Sequence, residues 1–158
     1  MIIYGKNCIL RAFDLKDVKS FYAIAHDDDV KSFVPYAYPE NMHEAFENVY
    51  AYSCGDMKND FYLVIERDGE IVGAIISVRT NEDSLDTSAF ISKNYRGMGI
   101  MTDAMNTFVK WIKENTNYKK LVMTIDLKNV ASNHQIKKIG GIFMMEKDSY
   151  NVYNVFVR

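Results

Sequence analysis

The chain has 158 residues, 48% of them hydrophobic, with 21 acidic and 19 basic side chains and a formal net charge of -2. This balance excludes a disordered chain and the basic field of a nucleic-acid binder, and the length suits one domain over residues 1–158 that buries roughly 68–70% of its unfolded surface. Cys8 and Cys54 are too few for a disulfide framework or a zinc site, and His26, His43 and His134 lack metal-ligand spacing. The N-terminus has no signal-peptide core and no apolar run approaches the ~20 residues of a membrane span, so the expectation is a cytoplasmic protein without metal, membrane or nucleic-acid partners.

Taken in order, Cys8 to Ala12 alternates as a short strand, and the pair Asp14 and Asp17 then reads as a helix start ahead of Val18, Phe21, Tyr22 and Ala25. Asp27-Asp28-Asp29 lacks the glycine and glutamate of a calcium loop and reads as a solvated turn. Pro35 and Pro39 punctuate an aromatic loop, after which Asn41 and Glu44 form a capping pair for a second helix. Two β-branched runs, Phe61 to Glu66 and Glu70 to Val78, meet at Asp68-Gly69, a strong hairpin signal. Thr87 to Ser92 forms the next strand, Met101 to about Asn115 an amphipathic helix, Leu121 to Leu127 a buried strand, Ser132 to Ile139 a short helix, and Ile142 to Met145 with Val152 to Val157 a closing antiparallel pair.

The most informative segment is the tight turn Arg96-Gly97-Met98-Gly99, which joins the strand ending in Phe90 and Ile91 to the amphipathic helix. Glycines permit positive φ and close backbone approach, the first helical turn offers unpaired N–H groups, and Arg96 adds positive charge, so the turn is a candidate diphosphate cradle. An isolated Gly-x-Gly is equally compatible with a plain connection. No Gly-x-x-x-x-Gly-Lys-Ser/Thr loop is present, and Thr102 stands where a dinucleotide fingerprint needs its third glycine.

The element order β-α-α-β-β-β-α-β-α-β-β, with Arg96-x-x-Gly99-x-Met101 followed by Asn129-Val130-Ala131-Ser132 and Lys138-Ile139-Gly140-Gly141, resembles the GNAT superfamily of acyl-CoA N-acetyltransferases. It is most similar to the branch that acetylates N-terminal amines of ribosomal proteins. The resemblance implies an α/β (α+β) fold: a mixed, mostly antiparallel sheet of about six to seven strands with about four helices, splayed between the fourth and fifth strands. Two departures stand out. Met101 replaces a common Gly or Ala and is expected to turn onto the core, and Gly141 replaces a common aromatic.

On this resemblance the chain transfers an acetyl group from acetyl-CoA to a primary amine, either the α-amine of a peptide or protein or a small amine, by direct attack in a ternary complex. The alternative is a non-catalytic acyl-CoA-binding or regulatory domain. The resemblance implies cofactor contacts from Phe90 and Ile91, from Arg96, Gly97, Met98, Gly99, Ile100, Met101 and Thr102, and from Asn129 and Ser132. Asp86 is the expected base, with Glu66 as fallback, although Asp86 also reads as part of a solvated acidic loop. A backbone N–H near Phe90 or Ile91 is expected at the oxyanion, and Ser132 at the leaving thiolate, although Asn129 and Ser132 also read as helix caps.

Deprotonating a lysine at neutral pH costs about 4–5 kcal/mol and an α-amine about 1, so an aspartate base suits the α-amine. Asp27, Asp28, Asp29, Glu40 and Glu44 are expected to flank the acceptor groove and favour a cationic acceptor.

Overall fold

The computed structural model describes residues Met1–Arg158. Its eight strands form one sheet in the order β1-β2-β3-β4-β5-β6-β8-β7. They are β1 (Ile2–Tyr4), β2 (Ile9–Ala12), β3 (Asp60–Arg67), β4 (Glu70–Arg79), β5 (Ser84–Ile91), β6 (Lys120–Asp126), β7 (Gly141–Lys147) and β8 (Tyr150–Phe156). Five α-helices accompany them: α1 (Val18–Ala25), α2 (Asp28–Phe33), α3 (Met42–Ser53), α4 (Ile100–Asn115) and α5 (Val130–Gln135). The sheet has one strand more than expected at the N-terminus, where β1 pairs antiparallel with β2.

The middles of β3 and β4 are almost wholly apolar because helices cover both of their faces. In β3, Phe61, Leu63 and Ile65 point into the larger core under α4, with Phe108 and Ile112, while Val64 points into a second core under α1 and α3, with Phe21, Val49, Ala74 and Phe90. Each fully buried side chain of this size contributes about 1.5–3 kcal/mol, which outweighs any local propensity. The β3–β4 hairpin closes at Asp68 and Gly69, whose φ values of 52° and 80° are those of a turn that matches strand twist.

Local capping agrees with the reading of the sequence and adds one network to it. The N–H of Asp14 donates to Asp17 at 2.8 Å, closing the expected capping box. Asp17, only 3% exposed, also receives Arg11 through Nη1 at 2.8 Å and Nη2 at 2.9 Å, and Arg11 Nε donates to Glu66 at 2.6 Å. Glu66 is thereby spent as a structural partner on the β2–β3 side of the sheet, away from β5 and β6. It is not a base.

The right half of the sheet is covered on one face only. Tyr153 and Val155 of β8 pack into the α4 core, whereas no helix covers the opposite face of β6, β8 and β7. The outermost strand, β7, carries Ile142, Phe143, Met144 and Met145, all of them about half exposed.

Candidate active site

Strands β5 and β6 run parallel but pair only over Ser84, Leu85 and Asp86 against Lys120, Leu121 and Val122. Beyond that they diverge. On its other side β5 stays zipped to β4 as far as Ile91. The ladder is bracketed by Thr80 N–H donating to Ser84 at 3.1 Å and Ser92 N–H donating to Val72 at 2.7 Å. Antiparallel alternation between these ends directs the backbone of Asp86, Ser88 and Phe90 toward β4 and that of Thr87, Ala89 and Ile91 into the gap. Of the pair singled out from the sequence, Ile91 therefore presents its N–H to the gap; Phe90 is paired with β4, and its ring is buried against Phe21.

The gap leads into the glycine turn. A short 3-10 turn, Lys93–Tyr95, follows β5, and Gly97 and Gly99 then adopt φ of 77° and 76° before α4 begins at Ile100. A methyl group at either glycine would meet nothing within 4 Å, so the requirement for glycine is the backbone angle, and the space above the turn is open. None of the N–H groups from Gly97 through Thr102 finds a protein acceptor; the first of α4 to do so is Asp103, bonded to Gly99 at 3.0 Å. Met101 packs against the larger core as expected and leaves this cradle intact. A row of free donors at a helix N-terminus matches the chemistry of a diphosphate.

Two neighbouring groups behave differently from the sequence expectation. Arg96 is not a free charge: Nη1 donates to Asp29 at 2.6 Å, Nη2 to Asp27 at 3.4 Å and Nε to the carbonyl of Ile91 at 3.3 Å. Asp27 is also the N-cap of α2 and lies 3.9 Å from Lys93. Burial raises its carboxyl, but the N–H groups of Asp29 and Val30 and the charges of Arg96 and Lys93 together bring it below the ordinary aspartate value. Some of the acidic residues expected to flank an acceptor groove are thus drawn into ion pairs. Asp27 and Asp29 pair with Arg96, Glu40 lies 3.8 Å from Lys31 and Glu44 accepts the Glu40 N–H at 2.7 Å, while Asp28, Asp29 and Glu40 all remain exposed. The cause is a contact spanning 67 residues, which no local reading supplies.

Asp103 braces the cradle from behind. Its carboxylate accepts the N–H groups of Lys6 at 3.2 Å and Asn7 at 2.7 Å and the Cys8 thiol at 3.4 Å. Burial, followed by the Asp103 charge, pushes the Cys8 thiol up to about 12.

On the other side of the gap, the Asn129 side chain accepts the Ser132 N–H at 3.3 Å, so Asn129 is the cap of α5. The Ser132 hydroxyl has no protein partner. Gln135 of α5 donates to Thr102 at 3.4 Å and so joins this helix to the head of α4. Asn133, which the sequence reading passed over, is the hub that fixes α5. It donates to the carbonyls of Asp126 and Asn129, both at 2.9 Å, and accepts from Asn151 at 2.9 Å and the Tyr153 hydroxyl at 2.8 Å.

Asp86 lies within β5, between Val78 and Val122, and not in a loop before it. Partial desolvation raises its carboxyl above the ordinary aspartate value. Tyr36, in the 3-10 turn Pro35–Ala37, shares this side of the sheet. Burial raises its phenol, the Ser88 hydroxyl opposes that rise and the charge of Asp86 adds to it. A strand gap that ends in a row of free N–H groups, with a partly desolvated carboxylate on its lip, has the chemistry to receive a diphosphate-bearing acyl carrier.

Comparison with known proteins agrees with this chemistry. The model of the acetyltransferase (GNAT) domain matches residues 7–142. A curated relative, an uncharacterized N-acetyltransferase, YnaD, of Bacillus subtilis strain 168, is 23% identical over 142 residues, covering 89% of this chain and 82% of its own. Among solved structures, a RimL ribosomal L7/L12 α-N-protein acetyltransferase in complex with coenzyme A superposes with a TM-score of 0.88 at 15% identity, over 99% of this chain and 98% of that one. A GNAT-family acetyltransferase from Bacillus anthracis superposes with 0.81 at 16% identity, over 98% and 96%. The chain belongs to the GNAT acetyltransferase family, as an acetyl-CoA-dependent N-acetyltransferase.

Proposed function

We propose that residues 1–158 act as one acetyltransferase domain whose acceptor is a primary α-amine on a peptide or protein. The observation that carries this reading is the placement of Asp86 on the lip of a gap that ends in free N–H donors from Gly97 through Thr102. Acetyl-CoA, when bound, supplies an acetyl group activated as a thioester. The residues that would hold it are Gly97, Met98, Gly99, Ile100, Met101 and Thr102 at the diphosphate and Thr87, Ala89 and Ile91 along the pantetheine amides, with Asn129 and Ser132 across the gap.

Asp86 accepts a proton from the acceptor amine, directly or through a water, because an aspartate side chain is short. Its carboxyl, raised by partial desolvation, makes it a better base than an ordinary aspartate. The N–H of Ile91 faces the gap and is placed to stabilise negative charge developing on a carbonyl oxygen there. The free hydroxyl of Ser132 donates to the departing sulfur. Arg96 stands behind the cradle as the counter-charge of Asp27 and Asp29.

Energetics favour the α-amine: deprotonation at pH 7 costs about 1 kcal/mol for an α-amine and about 4–5 for a lysine, and a lone aspartate offsets the smaller cost more easily. The RimL proteins are described as α-N-protein acetyltransferases, which supports the same acceptor class. The test is calorimetry with acetyl-CoA followed by product assay on a panel of peptides with free or blocked α-amines. Asp86→Asn is expected to keep cofactor binding and lose most turnover, and Ser132→Ala to lower kcat at unchanged acetyl-CoA affinity. Full turnover by Asp86→Asn, or transfer only to lysine side chains, refutes the reading.

A further inference from the structure

The register of the sheet places four residues in one row across four strands: Asp86 of β5 opposite Val122 of β6, Val122 opposite Asn154 of β8, and Asn154 opposite Ile142 of β7. Directly opposed residues share a face, so Asp86 and Asn154 point to the same side of the sheet. It is the side that no helix covers beyond β5. The row is therefore an open floor running outward from the proposed base.

Asn154 is the exceptional residue on this floor. It is 6% exposed, yet its side-chain amide has no hydrogen bond in the protein. Ser84 is the one residue whose side chain holds a polar atom both sealed and unpartnered, so the Asn154 amide still opens onto the trough between Val122 and Ile142. With no partner in the protein, the amide is free to bond whatever lies on the floor, and β8 has no structural need for a polar group at this position. By contrast, the Asn133 amide, on the other face, is fully engaged: it donates to the carbonyls of Asp126 and Asn129 and accepts from Asn151 and Tyr153.

We infer that Asn154 is a specificity-determining residue that hydrogen-bonds a backbone amide of the acceptor. Neighbouring strands are about 4.8 Å apart, so Asn154 stands about 10 Å from Asp86 at the level of the backbone. An extended peptide advances about 3.3–3.6 Å per residue, which brings its second or third peptide unit to Asn154 when its α-amine is at Asp86. The acceptor is thus recognised as an extended N-terminal segment lying across the floor, and an amine without amides at that distance forgoes the contact. This inference rests on the proposed α-amine acceptor and adds a length requirement to it.

The experiment compares alaninamide, too short to reach Asn154, with trialaninamide, in wild type and Asn154→Leu. The leucine is close in volume and removes an unpaired amide, so melting temperature is expected to hold or rise; Asn154→Ser replaces it if the leucine variant does not fold. In Asn154→Leu the KM for trialaninamide is expected to rise about tenfold, with the KM for alaninamide and for acetyl-CoA unchanged. Equal effects on both amides, or none, overturn the inference while leaving the acetyltransferase reading in place. If wild type acetylates neither compound, the α-amine reading fails, and direct titration of trialaninamide into the protein with coenzyme A decides for Asn154. Weaker binding by the variant then supports its role; identical or absent binding by both proteins ends it.

Discussion

Substituting alanine for Gly99 separates the cost of a backbone angle from the loss of a ligand site, because the protein carries its own control. Gly99, at the head of α4, and Gly69, in the β3–β4 hairpin, have φ of 76° and 80°, and an added Cβ meets nothing within 4 Å at either position. Alanine in this left-handed region costs roughly 1–2 kcal/mol, with no steric addition at either site. For a chain of this size that is a fall in melting temperature of about 2–8 °C, similar for Gly99→Ala and Gly69→Ala. The two variants part in calorimetry with acetyl-CoA. Gly99→Ala relieves its strain by turning the Met98–Ile100 backbone and so misaligns donors that the whole cradle depends on; losing two or three hydrogen bonds to a charged ligand, at about 1.5–3 kcal/mol each, raises Kd by a hundredfold or more. Gly69→Ala leaves Kd unchanged. Equal destabilisation together with equal, unaltered affinity for acetyl-CoA refutes the cradle.

Other expectations follow from the same contacts. Arg96→Gln leaves Asp29 unpaired and Asp27 with only Lys93 beside the cradle, so acetyl-CoA affinity falls; adding Asp27→Asn and Asp29→Asn restores most of it, whereas no recovery would make Arg96 a direct phosphate ligand. With Asp86 as base, kcat/KM falls as pH drops through its raised carboxyl value, and Asp86→Asn removes that limb of the profile. For stability the sign is opposite to that of a salt-bridged carboxylate: the folded state holds the Asp86 proton more tightly than the unfolded chain, so this group's contribution declines as pH rises from the ordinary aspartate value through the raised one. Asp86→Asn therefore melts no lower than wild type at pH 7. Alkylation of the native protein adds one label, at exposed Cys54, since the Cys8 thiol is buried and pushed up to about 12; a second rapid label would contradict the Asp103 contact. Arg11→Ala strands Asp17, which is 3% exposed, and is expected to cost about 3–5 kcal/mol in urea unfolding, while Arg11→Ala with Asp17→Asn costs less.

Local chemistry made much of the fold readable. The Asp68-Gly69 hairpin, the stripe of Met105, Phe108 and Ile112 on α4, and the glycine turn ahead of that helix depend on residues within a few positions of one another. The element order carried the family. β1 escaped notice because its three residues are too short to show a period and are stabilised by pairing with β2. Ser84, Leu85 and Asp86 passed for an acidic loop because their polar composition hides a strand that is held by partners on both sides, antiparallel β4 and, more than thirty residues away, parallel β6. The α5 helix begins at Val130, two residues before the expected Ser132, since the Asn129 side chain caps it. What sequence spacing could not convey was partnership across the chain: Arg96 with Asp29, Asp103 with the Lys6–Cys8 turn, and Asn133 with Tyr153. Asn154 shows this limit most clearly. In an alternating strand a polar residue between Tyr153 and Val155 reads as facing water, and its near-complete burial emerges only when β6, β7 and β8 are assembled.

The fork in the sheet also has a thermodynamic corollary. Only three residue pairs hold β5 to β6, so between the two halves much of the ladder that normally knits a sheet is missing. A ligand seated there acts as mortar between two slabs, and its occupancy enters the folding equilibrium as RT ln(1 + [L]/Kd), about 2.7 kcal/mol at a hundredfold excess over Kd. The cell's supply of charged carrier then governs how long this protein survives as well as how fast it works, and starvation for the carrier loosens it along the seam first.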